Sequence, residues 1–170
     1  LCEKPFSLTL KDFDITVAES RKLGRFLAPF QQRRYEPSLA KIQQLISSGA
    51  LGRIVHARVC LHTFGRRWDW QTLKQFGGGL LYNNTPHLLE IGLHLFGPDD
   101  PATIFCDLQR TLATGDAEDH VKITLKAPHQ PTIDIELMAT DAFLPHDLWF
   151  VQGTAGTLRS AADAVTDAGA

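Results

Sequence analysis

Hydrophobic and polar positions follow two different periods along this chain. A three-to-four-residue period over residues 10–23 predicts a helix, with Thr9 as its N-cap, Asp12 favouring its first turn and Gly24 ending it. Arg25 to Gln31 then reads as a short buried strand, with Phe26, Leu27, Ala28 and Phe30 as its apolar run. Pro37-Ser38-Leu39 opens a second helix to about Ser48, with Leu39, Ile42, Leu45 and Ile46 on one side and Gly49 as the C-cap candidate.

From Arg53 the period changes to two. Val55, Ala57, Val59 and Leu61 face one way, and His56, Arg58, Cys60 and His62 the other. Val121, Ile123 and Leu125 repeat the alternation against Lys122, Thr124 and Lys126, as do Ile133, Ile135 and Leu137 against Asp134, Glu136 and Met138. Thr103 to Leu108 and Leu148 to Gln152 are further strands. Strands that follow one another without helices between them favour antiparallel pairing. The fold class expected is therefore α+β, an open and mainly antiparallel sheet with helices on one face, preceded by a short αβ unit. The small, polar stretch from Ser160 to Ala170 reads as a ragged terminus.

One helix is unlike the others. Gly77-Gly78-Gly79 runs into a greasy helix over 82–96 that carries a single polar line. Asn83, His87, Glu90 and His94 recur at spacings that place all four on one face. Leu88, Leu89, Leu93, Leu95 and Phe96 take the buried side. A glycine turn that delivers an amide, an imidazole and a carboxylate in a row has the make-up of an active-site wall.

Composition narrows the classes. The 170 residues suffice for one good core, and 44% hydrophobic with 21% charged content is ordinary for a globular protein. A net charge of −2 offers no electrostatic reason for nucleic acid or an anionic membrane as partner. No apolar run approaches the roughly 20 residues that span a bilayer. Cys2, Cys60 and Cys106 lack Cys-x-x-Cys spacing, so buried free thiols in a reducing cytoplasm are expected. The chain opens at Leu1 with what reads as the tail of a strand, and a fragment of a longer protein is expected.

Cys2-Glu3-Lys4-Pro5, the Gly77–Gly79 run, Asn83 and His87 four residues later together resemble the glucose–fructose oxidoreductase / inositol 2-dehydrogenase (Gfo/Idh/MocA) family. Gln32-Arg33-Arg34 after a strand, Gly49-Ala50-Leu51-Gly52-Arg53-Ile54 and Gly153-Thr154-Ala155-Gly156-Thr157-Leu158 fall in the same order, so the resemblance covers nearly the whole chain. It implies that residues 1–36 are the last part of a Rossmann-type dinucleotide-binding domain, and residues 37–170 a C-terminal substrate-binding and oligomerisation domain. NAD or NADP would be the cofactor and a sugar, inositol or similar polyol the substrate. A second copy of the chain would pair through the open sheet face.

By that resemblance, Lys4 would hold the reacting oxygen between nicotinamide and substrate, with Glu3 and Pro5 beside the cofactor. His87 would take or give the hydroxyl proton, and Asn83 would orient substrate or imidazole. Arg33, Trp68 and Glu90 are further candidates for substrate contact. The chain departs from the family at Thr85, where many members have glycine, and no Gly-x-Gly-x-x-Gly follows a strand. These residues alone are therefore expected to bind a dinucleotide poorly. Two other readings stand beside this one: a non-catalytic binding domain of the same fold, and a metal site on His87, Glu90 and His94. The strand histidines His56 and His62 read as exposed sheet rather than as ligands.

Overall fold

The computed structural model describes residues 1–97, 103–143, 148–161 and 164–168. Its centre is a seven-stranded sheet in the order β2-β3-β4-β1-β5-β6-β7. The strands are β1 (Ile54–His62), β2 (Thr103–Gln109), β3 (His120–Lys126), β4 (Thr132–Met138), β5 (Trp149–Gly153), β6 (Thr157–Ala161) and β7 (Ala164–Ala168). Every neighbouring pair is antiparallel except β1 and β4, which run parallel with Cys60 opposite Glu136. The expected α+β class is the one observed, and the parallel pair is what the sequence pattern did not give. The hairpin β3–β4 returns β4 alongside β1 in the same direction.

Two helices cover one face. α2 (Pro37–Ser47) starts with Pro37 at its first turn and is followed by Gly49 at φ +76, as its pattern predicts. α4 (Thr85–Phe96) lies close against the sheet: a side chain on Gly92 would meet Ile135 Cδ1 at 3.1 Å. Leu39 and Ile42 of α2, Leu88 and Ile91 of α4, and Ala57, Val59, Val121, Ile133, Ile135, Leu137, Trp149 and Val151 of the sheet form one buried core. Each fully buried aliphatic side chain contributes about 1.5–3 kcal/mol. Among the described residues no helix is long and apolar enough to cross a membrane.

Several local expectations fail for identifiable reasons. Val55 is 44% exposed, because an irregularity between Ile54 and His56 turns Ile54 towards the core instead. Leu93 is 41% exposed, because it sits two residues beyond Ile91 and so on the far side of α4. Residues 164–168, expected in a ragged terminus, pair with β6, since ladder hydrogen bonds need no apolar side chains.

α1 (Leu10–Lys22) begins as expected, with the Asp12 N–H donating to Thr9 Oγ1 at 3.1 Å. The buried strand expected at 25–31 is not there. Only Pro29 forms a bridge, parallel to Cys2, with Cys2 N–H donating to the Ala28 carbonyl (2.9 Å) and Phe30 N–H to that of Cys2 (2.7 Å). Phe26 is 88% exposed, because no further strand or helix among the described residues covers it. The cysteines also divide. Cys60 is buried, and that burial pushes its thiol up to about 12, whereas Cys2 is half-buried and Cys106 exposed.

Candidate active site

The glycine run forms the turn that was expected, by close backbone packing. Gly77 takes a left-handed φ of +69 after a 3-10 turn at Lys74–Phe76. Gly78 lies against the carbonyls of Gln71 and Leu73, and a side chain there would meet Leu73 O at 2.8 Å. Leu80 N–H donates to the Glu118 carbonyl (3.1 Å) and Leu81 N–H to Glu118 Oε1 (3.0 Å), which anchors the start of α3 (Leu80–Asn83).

The helix expected over 82–96 is broken. α3 ends at Asn83, Asn84 intervenes, and α4 begins at Thr85. Pro86 has no N–H to continue the ladder through the break, and the chain restarts there with proline in the first turn. Asn83 and His87 therefore belong to two successive helices.

The break places Asn83 within reach of the amino-terminal segment. The Lys4 ammonium donates to the Asn83 backbone carbonyl and to its Oδ1 (2.9 Å). Asn83 Nδ2 in turn donates to Gln71 Oε1. Burial holds the Lys4 amine below its ordinary value; Glu3 opposes this, while Arg33 and Arg67 add to it.

His87 is 7% exposed. Its Nδ1 lies 3.1 Å from Gln31 Oε1, while Gln31 Nε2 donates to the Pro86 carbonyl (3.4 Å). An acceptor at Nδ1 puts the proton there and leaves Nε2 with the free lone pair. Burial, followed by the charges of Lys4 and Arg33, lowers the imidazole to about 4. At neutral pH it is an uncharged proton acceptor beside a cation.

Two hollows flank this arrangement. One, of about 540 Å³, is lined by Lys4, Pro5, Gln31, Tyr82 and Pro86 among others. The other, of about 260 Å³, is lined by Arg66, Arg67, Gln71, Asn83, Asn84 and Glu118 among others. Lys4 lines the first and Asn83 the second, so their hydrogen bond crosses the wall between them. His87 is in neither lining and reaches the first hollow through Gln31.

The remaining candidates are engaged elsewhere. Arg33 pairs with Glu36 at 3.2 Å, close enough to Lys4 and His87 to influence both. Glu90 receives the Arg34 guanidinium, with Nε donating to Oε1 at 2.7 Å. Trp68 is 77% exposed beneath the Arg66 guanidinium, 5.9 Å from its ring centre. His94 meets Gln43 at 3.0 Å. His87, Glu90 and His94 thus turn to three different partners and do not converge on one ion. His56 and His62 are not exposed sheet either: His56 Nε2 lies 2.9 Å from Asp134, and His62 Nδ1 3.2 Å from Asp141. Gln31 and Gln71, which position the imidazole and the amide, gave no signal in the sequence because their partners are set by the tertiary fold.

The family model for the GFO/IDH/MocA C-terminal domain matches residues 39–159. The chain belongs to the Gfo/Idh/MocA family. An uncharacterized oxidoreductase of Schizosaccharomyces pombe is 28% identical over 166 residues, covering 92% of this chain and 45% of that protein. The D-apiose dehydrogenase of Paraburkholderia graminis is 24% identical over 166 residues, covering 96% and 44%. Among solved structures, an NAD-binding protein from Listeria innocua superposes with a TM-score of 0.84 at 26% identity, over 93% of this chain and 45% of that one. The chain thus spans less than half the length of each of these relatives.

Proposed function

We propose that this chain is the substrate-binding part, with the end of the dinucleotide-binding domain at residues 1–36, of an oxidoreductase that uses NAD or NADP. Its substrate would be the hydroxyl or keto group of a sugar, inositol or similar polyol. The observation that carries the reading is the Lys4 ammonium, fixed by Asn83 at the edge of a hollow, one helical break away from a neutral imidazole. The relatives named as an apiose dehydrogenase and an NAD-binding protein support the substrate class and the cofactor.

The bound nicotinamide would supply hydride transfer at the substrate carbon. The residues here fit its reactive end: Lys4 and Pro5 line a hollow beside the imidazole. They do not provide the glycine-rich pyrophosphate cradle, which is absent from these 170 residues. Lys4 would steady the oxygen as negative charge develops on it. His87, with its Nδ1–H held by Gln31 and its lone pair on Nε2, would accept the hydroxyl proton. Asn83 would keep the lysine in place. Glu3 would flank the cofactor, and Arg33 would contribute charge to the site. The open face of the sheet, where the Arg58 guanidinium lies 5.5 Å from the Phe150 ring centre, would pair with a second copy of the chain.

A non-catalytic ligand-binding domain is the rival reading, favoured by the burial of His87 outside both hollows. The test is made on the whole reading frame that contains these residues, assayed for NAD and NADP reduction with a panel of sugars and polyols. Lys4→Ala and His87→Ala should each lower kcat at least about 100-fold with the fold retained. Activity unchanged by both substitutions, or no turnover by the parent with any member of the panel, favours the rival.

A further inference from the structure

The open face of the sheet carries a concentration of chemistry that the proposed hydride transfer does not use. Cys60 and His62 are alternate residues of β1 and so emerge on one face, and Glu136 is the direct register partner of Cys60 on β4. Cys60 Sγ lies 3.6 Å from Glu136 Oε2, and His62 Nε2 lies 3.7 Å from that same oxygen. One ligand atom from each of the three residues falls within 4.8 Å of the others. Cys60 and Glu136 are buried, and the His62 side chain is largely so.

We propose that Cys60, His62 and Glu136 form a binding site for a divalent cation of the zinc type, fastening β1 to β4. The donor set is one sulfur, one imidazole nitrogen and one carboxylate oxygen. That mixture suits a borderline-soft ion and is wrong for calcium or magnesium, which take oxygen ligands. Bond lengths of about 2.0–2.3 Å in tetrahedral geometry separate ligand atoms by about 3.3–3.8 Å. The two spacings to Glu136 Oε2 already match, so a small contraction suffices.

The groups around the three ligands suit the same role. His62 Nδ1 lies 3.2 Å from Asp141 Oδ2, the carboxylate partner that orients a metal-binding imidazole, with Nε2 towards Glu136. Lys122 donates to Glu136 Oε1 at 2.6 Å, which fixes the carboxylate with Oε2 turned to the thiol and imidazole. Both strands are flanked on each side in the sheet, so the ligands sit on a rigid frame. A water would complete the tetrahedron. On binding, the Cys60 S–H bond breaks, a sulfur–metal bond forms and one proton passes to solvent, with no change in oxidation state.

The experiment is a Co2+ titration of the metal-stripped 170-residue chain, followed by its thiolate-to-cobalt charge-transfer absorption. One equivalent should saturate the band, and Zn2+ should abolish it mole for mole. The double variant C2S/C106S, which leaves Cys60 as the sole thiol, should keep the band. C60S should lose it, and Asp141→Asn should weaken binding by about 10–100-fold. No saturable band in the wild-type chain or in C2S/C106S overturns the proposal, as does a band that persists in C60S.

Discussion

Lys4 and Asn83 share two hydrogen bonds across 79 residues of sequence, through the backbone carbonyl and the side-chain oxygen of the asparagine. The contact joins the amino-terminal segment to the glycine-led turn at one point. It also fixes where the ammonium sits, since a lysine side chain left untethered would sample many rotamers.

Removing the amide should therefore loosen the amino-terminal segment and strand its partners. Asn83→Ala leaves Lys4 with the backbone carbonyl alone and Gln71 Oε1 without its donor. The expected cost is about 1–2 kcal/mol in urea unfolding, with faster hydrogen exchange over residues 2–9. Asn83→Asp should keep the segment docked and raise the Lys4 pKa, because a carboxylate beside the ammonium favours its charged form. A lysine-resolved NMR titration reads that shift.

Acid should weaken the fold through His87. Its imidazole falls from 6.5 unfolded to about 4 in the folded chain, so between those values the unfolded state binds more protons. The contribution is fully present above pH 6.5 and is lost as the pH falls towards 4. Thermal unfolding in steps across that window should show a falling Tm, and His87→Gln, which cannot titrate, should flatten the slope. An identical slope in the variant would assign the acid sensitivity to other groups.

The glycine turn should tolerate no side chain at its centre. Gly78→Ala presses a methyl group onto the backbone carbonyls of Gln71 and Leu73, which cannot swing away as a side chain can. Gly49→Ala meets nothing within 4 Å and bears only the strain of its positive φ, about 1 kcal/mol. Urea denaturation should rank Gly78→Ala as costlier by at least about 2 kcal/mol.

What the sequence disclosed follows from how local each feature is. Helices α1 and α2 and strands β1–β5 lie within a residue or two of their predicted bounds, because period and capping are properties of adjacent residues. The Gly77–Asn83–His87 cassette was legible for the same reason. The break at Asn84 was not, although Pro86 stood in plain view, because proline is as compatible with a helix start as with an interruption. The parallel pairing of β1 with β4, the contact of Gln31 with His87 and the convergence of Cys60 with Glu136 join residues far apart in sequence. No pattern within a window contains them. The exposure of Phe26 was misread because a run of apolar residues signals burial only when something is there to cover it.

The central place of β1 carries a consequence for how the chain assembles. Of the strands in this sheet β1 is made first, and in the finished sheet it is flanked by β4 and β5, both from the far half of the chain. Until those segments emerge, β1 has both edges unsatisfied, and its closure must await loops of high entropic cost. The nascent sheet therefore depends on late-arriving sequence to shield β1, and it is there that chaperone capture or wrongful pairing between neighbours would begin.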